Sequence, residues 1–118
     1  MASSVIKQDP MFALSNWKMS SQDIYDSTNT STVIGSLAVF YNSSLKIGIA
    51  RWSGNSNTPT PGTYYMSLPS DAVPPDYVNF LSTLRNGDSI EVRSSDARIN
   101  VALYAQNWSG GSVAYKIK

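Results

Sequence analysis

The chain contains no cysteine and no histidine. Without cysteine there is no disulfide framework, thiol nucleophile, thiolate zinc site or iron–sulfur cluster. Without histidine, the Ser-His-Asp triad, the usual zinc and non-haem iron ligand sets and the commonest general base near neutral pH are excluded. Charge is also scarce, at 14% of residues against about 25% in an average globular domain. The net charge of +1 provides no basic field, so nucleic acid is not an expected partner. No apolar run approaches the roughly 18 residues of a membrane span, and no basic segment followed by an apolar stretch opens the chain, so membrane insertion is not expected. No carboxylate spacing matches a calcium loop. The expectation is a protein without metal or cofactor.

What is present points to β-structure. The 118 residues suit one domain, long enough to bury a core without cross-links. Residues 1–118 are read as a single domain, with 1–10 either a short tether or a first strand. Ser, Thr and Asn together make up roughly three residues in ten, which fits a disordered chain or a β-rich polar surface. Seven Tyr and three Trp decide for the folded alternative, because they bring large apolar area to bury.

Apolar residues recur with period two. Leu45, Ile47 and Ile49 alternate with Lys46, Gly48 and Ala50; Ile90 and Val92 with Glu91 and Arg93; Ile99, Val101 and Leu103 with Asn100, Ala102 and Tyr104; Val113, Tyr115 and Ile117 with Ala114, Lys116 and Lys118. Each run reads as a strand with one buried face, which places Ile47, Ile49, Val92, Val101 and Leu103 inside. Residues 33–41 are more continuously apolar and suit a central strand covered on both faces, with Gly35 marking a bulge or a close backbone approach. Turn signals fall between the runs at Asn42-Ser43-Ser44, Asn86-Gly87-Asp88, Ser94-Ser95-Asp96-Ala97 and 107–111. Residues 76–84 carry Tyr77, Phe80, Leu81 and Leu84 at helix-like spacing after Pro74-Pro75; one short helix and an extended run are both compatible with that pattern. The fold class is therefore all-β, an antiparallel sandwich with at most one short helix.

Aromatic residues near strand ends are the candidates for function. A flat ring covers the apolar face of a sugar while neighbouring amides and hydroxyls bind its hydroxyl groups. Trp52, Asn55, Tyr64, Asn107 and Trp108 combine these groups in and beside two expected end loops, 54–62, which Trp52 flanks, and 107–111. The competing reading places the same rings over the ends of the core or in a subunit interface. Two aspartate pairs, Asp23 with Asp26 and Asp71 with Asp76, would serve a glycosidase only at suitable separation; they read as structural or solvated loop residues.

The second half also carries an ordered series of short phrases. Arg51-Trp52-Ser53-Gly54-Asn55 is followed by Gly62 through Leu68-Pro69, then Pro74-Pro75 and Phe80. Asn86-Gly87 leads into Ile90-Glu91-Val92, then Asp96-Ala97-Arg98-Ile99-Asn100-Val101 and a closing Tyr115. Over roughly residues 33–118 this order resembles the C-terminal β-domains of bacteriophage tail fibres, baseplate upper proteins and receptor-binding heads. Ala97 stands where that family usually has Gly, and two residues separate Arg51 from Gly54-Asn55. The departure at Ala97 suggests a turn with no need for positive φ. The resemblance implies a jelly-roll-like sandwich, commonly a homotrimer, carried on a virion tail and exposed to the host cell surface. It implies a noncatalytic module that binds host surface polysaccharide or glycan and contacts other tail or baseplate proteins. A purely structural assembly domain is the alternative implied, and a saccharide depolymerase a second. The family carries over no site residues, because its loops vary most.

Overall fold

A computed structural model describes residues 16–104 and 109–118. Residues 1–10, read above as a tether or first strand, lie outside the described residues, as do Asn107 and Trp108. Eight strands are described: β1 (Lys18–Tyr25), β2 (Val33–Asn42), β3 (Ile47–Gly54), β4 (Gly62–Ser67), β5 (Asn79–Thr83), β6 (Ser89–Arg93), β7 (Arg98–Leu103) and β8 (Gly110–Lys116). They form two four-stranded sheets, ordered β1-β2-β3-β8 (sheet A) and β4-β7-β6-β5 (sheet B), with every pairing antiparallel. Sheet A is a three-strand meander closed by β8. Sheet B is a Greek key, in which the meander β5-β6-β7 is bordered by β4 on the far side of β7. The chain is an all-β sandwich.

The core lies between the sheets. Leu37 and Val39 of β2 and Ala50 and Trp52 of β3 face Ile90 and Val92 of β6 and Ile99 and Val101 of β7, all eight buried. Val92, Val101 and Leu103 are inside as their alternation requires. Ile47 and Ile49 are not. Ile49 is 37% exposed on the outer face and Ile47 is only half-buried, while Gly48, Ala50 and Trp52 point inward. The opposite phase would bury Arg51 and expose Trp52, and an unpaired guanidinium in a core costs more than two isoleucines gain. Gly48 completes this phase: the Tyr115 ring lies where its Cβ would be.

Residues 33–42 do form an interior strand of sheet A, but sandwich packing covers one face only. Phe40, on the other face, is 39% exposed. Gly35 serves both roles expected of it. The β1–β2 register slips beside it, between Ile24 and Tyr25, and a Cβ at Gly35 would overlap the Trp52 ring and the Ser53 carbonyl.

Residues 76–84 resolve to a turn followed by a strand, not a helix. The Val78 amide donates to the Pro75 carbonyl at 3.1 Å, closing a tight turn, and β5 begins one residue later. Helical structure among the described residues is confined to 3-10 turns, such as those at Ser70–Ala72 and Arg85–Gly87. The 94–97 connection also differs from expectation: Ala97 adopts φ 52°, so the turn needs a left-handed residue although alanine occupies the position.

Candidate functional site

Three of the five residues expected to bind ligand are described, and all three are structural. Trp52 is 1% exposed, and its indole N–H donates to the Ser109 hydroxyl at 3.2 Å. It is a core residue, with no exposed ring for a sugar to stack on. The Asn55 amide donates to the Val33 carbonyl at 2.7 Å, and its Oδ1 accepts from the Asn57 amide at 2.9 Å. Tyr64 is buried and its hydroxyl donates to the Thr60 carbonyl at 2.7 Å. The two expected loops do adjoin, since the Gly54 amide donates to the Ser109 carbonyl at 2.8 Å. A hollow of about 370 Å³ opens there, lined by Arg51, Ser53 and the backbone of Gly54, Gly110 and Gly111.

Asp26 is the hub of this end. Its carboxylate accepts from the Thr60 amide at 2.6 Å and hydroxyl at 2.8 Å, from the Thr28 hydroxyl at 2.9 Å and from the Asn29 amide at 3.2 Å. The Thr60 amide above all, with the Thr28 and Thr60 hydroxyls, holds the carboxyl far below its usual range against the opposing effect of desolvation. Asp71 is also held low, chiefly by its 3.0 Å bond from Lys18. A glycosidase acid needs a carboxyl that stays protonated near neutrality. Asp26 and Asp71 are displaced the other way.

The opposite arrangement, a ring exposed beside polar groups, occurs at a position the sequence pattern conceals. Tyr77 is fully exposed and adopts φ 65°. It is the third residue of the Pro75–Val78 turn, where positive φ favours Gly or Asn. A left-handed conformation costs a residue with a Cβ about 1–2 kcal/mol, and for a bulky side chain it is an outlier. Beside the ring lies a hollow of about 580 Å³ lined by Asp76, Tyr77, Asn79, Ser94 and Ser95. Asn79 Oδ1 accepts from the Ser94 amide at 3.2 Å, tying the turn before β5 to the β6–β7 connection. Asp76 meets Lys118 at 3.4 Å in an exposed pair, which leaves it solvated and weakly held. Helix-like spacing made Tyr77 look like part of an apolar face. The signal available was Pro74-Pro75-Asp76 before it, which puts the ring on a turn rather than in a periodic element.

Comparison with protein-family models, curated proteins and solved structures finds no match for the chain. Among the described residues no group of three or more carboxylates could hold a metal ion, and no helix is long and apolar enough to cross a membrane.

Proposed function

We propose that the protein is a noncatalytic saccharide-binding module of a bacteriophage tail or baseplate, carried on the virion and facing host-surface glycan. The observation that carries the binding reading is Tyr77, a strained and wholly exposed ring beside a hollow lined by a carboxylate, an amide and two hydroxyls. Backbone strain persists where the surrounding structure or a function maintains it, and the fully exposed Tyr77 ring has no packing to do so. An aromatic platform flanked by hydroxyl-binding groups is the composition a sugar site requires. The phage assignment rests on the sequence resemblance over residues 33–118, and a rigid sandwich bearing its binding groups on loops suits that role.

Tyr77→Gly separates binding from folding. It removes the ring and also relieves the left-handed strain, so the variant should melt no lower than the parent while losing retention on a host-envelope glycan array. Equal retention by the two proteins would defeat the assignment of Tyr77.

A second reading, assembly within the tail, is favoured by the outer face of sheet A. Met19, Phe40 and Ile49 lie in one cross-strand row and all three are exposed. In the proposed homotrimer this row is covered by neighbouring copies. The two readings are compatible, since the row lies on sheet A and Tyr77 on the turn that leads into sheet B.

A further inference from the structure

We propose that the outer face of sheet B carries an anion subsite, centred on Arg98, that takes the carboxylate of an acidic oligosaccharide whose neutral part occupies the Tyr77 hollow. The inference rests on the saccharide reading above and names the class of sugar.

Arg98 and Arg93 face one another directly across the β6–β7 ladder, a like-charge pairing that destabilises a sheet. Arg93 has acidic neighbours, Glu91 at 3.7 Å and Asp96 at 3.8 Å, both beyond hydrogen-bond reach. Its Nε is buried and makes no hydrogen bond. No carboxylate among the described residues pairs with Arg98; its guanidinium instead sits over the Tyr65 ring, 3.8 Å from the centroid. Asn100 stands in the adjoining row between Tyr65 and Glu91. It is 8% exposed, and its Nδ2 is a buried donor without an acceptor.

Two of these residues thus carry buried donors without a hydrogen-bond partner, Arg93 Nε and Asn100 Nδ2. That rarity marks this face as short of acceptors, and the neighbouring Arg98 is paired with no carboxylate among the described residues. A partner for this face must be rich in acceptors and negatively charged. A guanidinium donates in its own plane, so one seated on an aromatic ring retains a planar edge for a carboxylate. Position connects this subsite to the hollow. The row Ser67, Arg98, Arg93, Asn79 crosses all four strands of sheet B, and Asn79 lines the hollow beside Tyr77. From Arg98 on β7 to Asn79 on β5 is two strand spacings, roughly 10 Å. A ligand reaching both places is therefore an oligomer.

The test is calorimetric titration of the full chain with pentagalacturonate, with cellopentaose as the neutral control of equal length, and with an oligo(glycerol phosphate). Pentagalacturonate should bind at least tenfold more tightly than cellopentaose. Arg98→Gln should erase that preference at an unchanged melting midpoint, and Arg98→Lys should restore only part of it. Equal affinity for the acidic and neutral sugars, or an Arg98→Gln variant with its preference intact, overturns the subsite. Preference for the glycerol phosphate polymer overturns the carboxylate assignment. Tyr77→Gly distinguishes this failure from that of the underlying reading: a neutral sugar bound through Tyr77 sinks the subsite alone, whereas no binding of either sugar sinks both.

Discussion

Single residues carry conformations that their side chains do not favour, and two of these invite different explanations. Tyr77 holds its left-handed backbone with the ring in solvent, so no packing repays the cost. Ala97 holds φ 52° at the end of the β6–β7 connection, where its carbonyl accepts from the Leu68 amide at 2.8 Å. The strain at Ala97 is therefore repaid by tying β4 to β7. Ala97→Gly should retain that bond, since the acceptor is backbone, and should stabilise the domain by about 1 kcal/mol. Chemical denaturation would read this as a higher midpoint at unchanged slope; a lower midpoint would mean that the alanine methyl contributes packing. Gly48 shows the reverse constraint, because any side chain there must displace the Tyr115 ring, whose hydroxyl donates to the Ala72 carbonyl at 2.7 Å.

Elements are joined at the β1–β2 end by the Asp26 knot, which binds the 26–32 connection to the loop before β4. The pH dependence follows from its depressed carboxyl. The folded value lies below the ordinary 3.8, so the stabilisation is present above about pH 4 and is lost as pH falls towards the folded value. Asp71, also held low but more exposed, adds a weaker contribution of the same sign. Thermal melting should be level from pH 7 to about 5 and fall below about 4. Asp26→Asn, which keeps the shape but not the charge, should melt lower than the parent at pH 7, with the two curves converging as the pH drops. Parallel curves across that range would show that Asp26 does not carry the acid dependence.

The whole molecule presents two outer faces of different chemistry. Sheet B shows arginines, a glutamate, an asparagine and a stacked tyrosine; sheet A shows the Met19–Phe40–Ile49 row. Aligned exposed hydrophobics are poorly tolerated on a monomer and mark contact surfaces. A concentration series in sedimentation velocity should show association of the chain, and Phe40→Asp should abolish it without lowering the melting midpoint. A protein that stays monomeric throughout the series would remove sheet A as the contact surface and leave the assembly reading without support.

Period-two alternation determined that the chain is β, and Asn, Gly and Ser clusters determined where most strands turn, because both signals are local to a few residues. They also fixed the inward residues of β6 and β7, whose two faces differ sharply in polarity. They did not fix the phase of β3, where isoleucines alternate with Gly48, Ala50 and Trp52. That choice depended on Tyr115 lying against Gly48 and on keeping Arg51 solvated, both set by distant strands. The candidate site followed the same division. Sequence nominated Trp52 and Tyr64 as rings among amides and hydroxyls, and the core and the Asp26 knot consume both. Only the tertiary structure could separate rings that are needed for packing from Tyr77, because exposure depends on what the rest of the chain covers.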